Sequence, residues 1–167
     1  MGKILGSWSG MRKYLEQEML CDRLRGRVRY GCTRYTGMDN CHIFDINVDG
    51  KQMKRFSLET VNSYFISQGL HAESAVTGTA GYWNGFWENM DTFPMSVRSE
   101  YTDTEFCGAL KKYRELDITE SIASSDPIVR MFAVLDRRTG KRSLERIKSS
   151  IDEYSDWLCP FLELRLS

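Results

Sequence analysis

The sequence has no apolar run long enough to cross a bilayer: the longest uninterrupted one, Met131 to Leu135, is a fraction of the roughly 20 residues a membrane helix needs. Met1-Gly2-Lys3 leads into no apolar stretch of the kind that directs secretion, and Gly6 stands where the N-myristoylation pattern requires serine or threonine. Cysteine occurs at Cys21, Cys32, Cys41, Cys107 and Cys159 but never as a CxxC pair. An odd set of thiols without a secretory signal points to reduced cysteines in a cytoplasm. A zinc set of Cys21, Cys32, Cys41 and His42 can be drawn, yet its long gaps are wrong for a paired-ligand knuckle. Half-buried free thiols are the simpler reading, and no metal or cofactor is expected. The GxSxG, HExxH, GxGxxG and P-loop patterns are also missing. Gly140-Lys141-Arg142-Ser143 only ends like a P-loop, since Leu135 replaces the leading glycine and Arg142 the hydroxyl residue.

What is present is an ordinary globular composition: 167 residues, 41% apolar and 28% charged, enough for a single domain over 1–167 with its own core. The 23 basic and 23 acidic side chains cancel, but unevenly along the chain. Residues 1–60 carry eleven bases against seven acids, residues 61–126 four against ten, and residues 127–167 eight against six. Cations concentrate at Arg23, Arg25, Arg27, Arg29 and Arg34, and again from Arg137 to Lys148. Such asymmetry marks either an anionic partner or a subunit that pairs basic ends with an acidic middle.

The expected architecture is α+β: an N-terminal helix, a three-stranded antiparallel meander over about 26–56, and a mostly helical part over about 57–167. The first helix should run from Ser9, as cap, to Leu24, with Met11, Tyr14, Leu15 and Met19 on one stripe. Asp49-Gly50 is the dipeptide a two-residue type I′ hairpin prefers, because both positions need positive φ. That turn predicts Val48 opposite Lys51, Ile46 opposite Met53, Phe44 opposite Arg55 and, on the other face, Asp45 opposite Lys54. A turn over Thr36–Asn40 would then set Tyr35 against Cys41, Cys32 against Phe44, Tyr30 against Ile46 and Val28 against Val48. All the apolar partners fall on one face, and a one-residue slip would reverse this.

Further on, Ser57 should cap a helix bearing Leu58, Val61 and Phe65, and residues 69–81 read as a loop. Thr102 and Glu105 form a capping-box pattern, and Ile118–Ala123 a short helical turn. Asp126-Pro127 starts a helix that Gly140 should end as a left-handed cap, with Arg137 and Arg138 complementing the dipole in its last turn. Leu144, Ile147 and Ile151 mark another helix, and Pro160 begins or interrupts a final segment.

Three chemistries compete. Trp83, Phe86, Trp87 and Met90 lie at i, i+3, i+4 and i+7, one helical face, so core packing is expected; the alternative is a ligand cleft of His71, Tyr82, Trp83 and Trp87 beside the 69–81 loop. His42 falls at the sheet rim beside Phe44, and neither histidine sits in an acyl-transfer pattern, so no catalytic residue is assigned. Arg27, Arg29, Lys54, Arg137, Arg138, Lys141, Arg142 and Arg146 are the candidate polyanion contacts, opposed by a balanced charge and a pI near 6.7.

Trp8-Ser9-Gly10-Met11-Arg12, Arg27-Val28-Arg29-Tyr30 and the run from Arg130 through Asp136-Arg137-Arg138-Thr139-Gly140-Lys141-Arg142 resemble a family of small bacterial proteins without an established activity. The resemblance implies a bacterial cytoplasm and transfers no catalytic residue. The expected function is a non-enzymatic binding or regulatory protein with a protein partner or a second copy. A nucleic-acid or other polyanion binder is the alternative, and an enzyme using the 69–81 loop the next one; a membrane partner is not expected.

Overall fold

The computed structural model describes residues 6–34, 42–71 and 80–167. The protein has an α+β fold in which an N-terminal helix and a three-stranded antiparallel sheet precede a mostly helical remainder. Helix α1 (Trp8–Lys13) is capped by Ser7 rather than Ser9, the Ser7 hydroxyl accepting from the Gly10 amide at 3.1 Å. The helix expected to reach Leu24 ends at Met19 in a π-helical turn over Tyr14–Met19, where the Leu20 amide reaches back five residues to the Leu15 carbonyl and Leu20 itself is extended. The turn buries Leu15 and Met19 as the stripe requires, and it also carries Glu16 inward. Gly26, at φ +81°, redirects the chain into the sheet.

Strands β1 (Val28–Arg34), β2 (His42–Val48) and β3 (Lys51–Phe56) lie in that order. Val28 faces Val48, Tyr30 faces Ile46 and Cys32 faces Phe44, as the pattern predicts. The expected turn at Thr36–Asn40 and the Tyr35–Cys41 pair lie outside the described residues. Asp49 (φ 51°) and Gly50 (φ 80°) form the predicted turn and set Val48 against Lys51. Beyond it the predicted register fails. A bulge at Met53 sets Lys54 opposite Ile46, Arg55 opposite Asp45 and Phe56 opposite Phe44. The shift buries the whole Phe56 ring, worth about 2–3 kcal/mol by area, and hands Asp45 a bidentate arginine in place of a lysine.

The helical part comprises α2 (Leu58–Ser67), α3 (Ala80–Thr92), α4 (Asp103–Glu115), α5 (Ile118–Ile122), α6 (Pro127–Leu135), α7 (Lys141–Ser149) and α8 (Cys159–Leu166). Ser57, Thr102 and Asp126 cap α2, α4 and α6 as their sequences predict. Only half of the Thr102/Glu105 box forms, because the Glu105 carboxylate turns to Arg98 instead. The complete box is Asp117/Glu120 on α5. Gly140 is not a left-handed C-cap: its φ of −82° makes it the N-cap of α7, and α6 has already stopped at Leu135. Arg137 and Arg138 therefore lie past the helix, not in its last turn.

The main core is a line of rings. Trp8 packs on Phe44, Phe44 stacks on Phe106 at 4.4 Å, and Phe106, Tyr30 and Tyr113 all meet Phe132. Val61, Phe65 and Phe86 form a second, smaller cluster between α2 and α3. There the expected aromatic face is corrected: Phe86 is fully buried and Trp83 and Met90 partly so, but Trp87 is 52% exposed. Among the described residues α3 packs chiefly on α2, which covers a stripe about one ring wide.

Candidate functional site

The cations assigned to a polyanion surface divide sharply. Arg27 makes a bidentate pair with Asp49, at 2.9 and 2.8 Å, which lowers the Asp49 pKa. Arg29 bonds Glu16 at 3.1 Å, and the other Glu16 oxygen accepts the Tyr30 amide at 2.8 Å. A buried carboxylate thus occupies the open side of the edge strand β1, where an unpaired amide would otherwise invite another chain. Lys54, expected on the polar face, is the main correction. The bulge turns it inward to 7% exposure, where Nζ donates to the Ser99 carbonyl and to Glu100 at 3.0 Å, and lies 4.8 Å from the Trp157 ring centroid and 5.5 Å from that of Tyr101. Its pKa falls because desolvation outweighs the Glu100 charge.

Arg138 is committed as well. It forks onto Asp136, Nε to Oδ1 at 3.0 Å and an NH2 group to Oδ2 at 2.7 Å, and the Tyr113 hydroxyl donates to the same Oδ2 at 2.5 Å. Asp136 has no solvent exposure. Around it Arg165 donates to the carbonyls of Val134, Asp136 and Thr139, and the Thr139 hydroxyl donates to the Ala133 carbonyl at 2.6 Å. The Arg137 amide donates to the Met19 carbonyl at 2.8 Å, joining the π-helical turn to this network. The space lined by Leu15, Tyr30, Tyr113 and Asp136 has no room for a water molecule. Burial and the neighbouring carboxylate raise the Tyr113 hydroxyl far above its ordinary pKa. The cluster ties down backbone carbonyls.

Arg137, Lys141, Arg142 and Arg146 remain exposed, with no ion-pair partner among the described residues. α7 begins with two of these cations, has no acid in its first turn, and receives no side-chain bond from its cap. Anions are favoured at that end of a helix, so this arrangement opposes the dipole. Arg142 and Arg146 add a like-charge pair four residues apart.

Of the predicted ligand-cleft residues, His71 and Tyr82 pack on each other, Trp83 is half-buried and Trp87 stays exposed. The His71 ring sits 4.3 Å from that of Tyr82, and a side chain at Gly85 would meet the same imidazole at 3.1 Å. Tyr82 is nearly buried and accepts from the Asn62 amide at 2.7 Å. Residues 72–79 of the loop lie outside the described residues. His42 stacks on Phe44, and its amide donates to Asp103 at 3.0 Å. The Cys107 thiol is pushed up to about 12 by burial, which leaves it unreactive. Among the described residues no group of His, Cys, Asp and Glu could hold a metal ion.

With this geometry in place, the comparison with known families is decisive about membership: one family profile covers residues 7–166. The chain belongs to the SF0329 protein family. No curated protein and no solved structure matches it. This family is of unknown function, so membership brings no substrate or reaction. The three segments around Trp8, Tyr30 and Asp136 meet in one place: Trp8 on Phe44, Tyr30 on Phe132, and Asp136 at the polar network beside them. They hold this SF0329 chain together. Sequence reasoning missed Glu16, Arg98 and the Asp136 network; only Asp136-Arg137-Arg138, an acid followed by a turn of cations, carried a local signal.

Proposed function

We propose that this chain is a small non-enzymatic binding or regulatory protein of a bacterial cytoplasm, acting through its α2–α3 hairpin. The observation that carries the reading is Trp87, 52% exposed on a helix. Tryptophan is the most enriched residue type among interface anchors, because it offers a large rigid surface at small entropy cost. Leu70, 38% exposed, follows α2 on the same hairpin. The groups that would carry acid–base or nucleophilic chemistry support the same reading, since Asp136 and Tyr113 are bonded to each other and Cys107 is held protonated. The bacterial host rests on the resemblance of the three segments. The reducing compartment is supported by the free thiols of Cys21, Cys32, Cys107 and Cys159.

The test is affinity capture from the native host with the wild type and Trp87→Ala, identifying bound protein and measuring nucleic acid. The wild type should recover a discrete protein that Trp87→Ala loses, while its melting temperature stays within a few degrees, as befits a surface position. Equal capture by both overturns the reading. A second reading, polyanion binding, is favoured by the unpaired cations of α7. It predicts retention on nucleic acid that falls steeply with salt and is lost in Arg142→Glu/Arg146→Glu.

A further inference from the structure

Between Arg55 and Arg98 the sequence has no lysine or arginine, so the α2–α3 hairpin carries only negative charge. On α3 the residues Trp87, Glu88 and Asp91 are all exposed, and Asp91 neighbours both of the others, four residues after Trp87 and three after Glu88. Neither carboxylate has an ion-pair partner among the described residues. An exposed indole beside two carboxylates suits a guanidinium group, which can stack on the ring and bond the acids at its edge. α7 supplies the complement: Arg142 and Arg146 lie one turn apart, exposed and unpaired among the described residues, and Arg142 sits in the first turn, where the helix dipole disfavours a cation.

We infer that the α2–α3 hairpin docks the α7 face of a second copy of this chain, with Arg142 and Arg146 seated against Trp87, Glu88 and Asp91. The inference rests on the binding reading above and names its partner. The two surfaces differ, so in a two-fold pair each copy gives its hairpin and receives its neighbour's, and the contact forms twice. Docking removes the like-charge strain on α7 and covers Trp87 in one step. Exposed ion pairs alone bind weakly, so the ring is the anchor and the charges set the orientation.

Sedimentation equilibrium of the full chain tests this, with circular dichroism confirming that each variant is folded. The wild type should self-associate at low salt and dissociate as salt is raised. Trp87→Ala should weaken association on the order of tenfold or more. Glu88→Arg/Asp91→Arg and Arg142→Glu/Arg146→Glu should each be monomeric, since each sets like charge against like. Mixed together they should reassociate, because both contacts of the mixed pair are again complementary. A wild type that stays monomeric at low salt overturns the inference, as does an oligomer that survives both charge reversals or a mixture that fails to reassemble. A monomer whose Trp87→Ala variant still loses a host protein overturns self-association alone and leaves the binding reading standing. A monomer that binds nucleic acid through Arg142 and Arg146 assigns α7 to the polyanion instead.

Discussion

At Asp136 and Lys54 the energetics turn on single charges placed inside. Asp136 accepts from Tyr113, from the Arg138 guanidinium and from the Arg138 amide, and its local sequence announces the arginine but neither the burial nor the tyrosine. The apolar run before it predicts a helix end and the arginines after it a surface, while the tyrosine partner lies on α4, far earlier in the chain. Asp136→Asn keeps the shape but removes the charge, leaving a guanidinium without its counter-ion and an amide NH2 facing a phenol. The expected cost is about 1–3 kcal/mol in urea unfolding, the range for buried hydrogen bonds to a charged group left unmade, since the half-exposed Arg138 guanidinium is taken up by water. A loss under 1 kcal/mol would show that the network is not structural. Lys54 gives a pH test. Its folded pKa is depressed, so between that value and the ordinary lysine pKa of about 10.4 the unfolded chain holds a proton that the folded chain lacks. Stability attributable to this residue therefore rises with pH across that window and is lowest below it. Measured against Lys54→Met at each pH, the wild type should gain ground as pH climbs toward 10.4. A flat or falling difference contradicts the desolvated lysine.

Elements were legible where a few adjacent residues decide the geometry, and illegible where a distant partner does. Asp49-Gly50 dictated its turn because positive φ at two successive positions is a local demand, and the Asp126-Pro127 start of α6 is local in the same sense. Gly50→Val should therefore cost about 1 kcal/mol or more in denaturant unfolding, because at φ 80° a β-branched side chain is strained although the space around it is open. An unchanged midpoint would mean the turn relaxes at no cost. The bulge at Met53 was out of reach. Alternation alone favours Ile46 opposite Met53, and only the room for Phe56 between Phe44, Tyr101 and Phe106 selects the shifted register. The same shift moved Lys54 from the candidate surface into the interior, so one tertiary preference rewrote part of the candidate site. The π-helical turn failed for a related reason, since it bends the chain to meet Asp136 and Arg137, which lie far off in sequence. Gly140 failed because α6 has already stopped at Leu135, leaving the glycine to begin α7.

Across the whole molecule, the two apolar clusters imply unequal stability. The rings from Trp8 to Tyr113 draw on the sheet, α1, α4 and α6, whereas the hairpin cluster rests on Val61, Phe65 and Phe86. The chain from α3 is anchored to α4 by Arg98, 2% exposed, which donates to the Phe93 and Glu100 carbonyls and grips Glu105 with two bonds of 3.2 and 2.7 Å. Burial raises the Glu105 pKa even with that arginine beside it. Among the described residues fewer buried groups hold the hairpin than hold the sheet, so it should open without the sheet opening. Native-state hydrogen exchange should give the amides of Val61, Phe65 and Phe86 a smaller opening free energy than those of Phe44, Ile46 and Phe132. Arg98→Met should lower protection of the hairpin and α4 further, because it leaves the Phe93 carbonyl and the Glu105 carboxylate buried without their donor. Equal protection in both clusters would make the hairpin part of one cooperative unit. An element that carries the exposed Trp87 and opens below the global threshold is one whose ordering a bound partner reinforces, so protection of these amides should also rise with protein concentration if the hairpin docks α7 of a second copy.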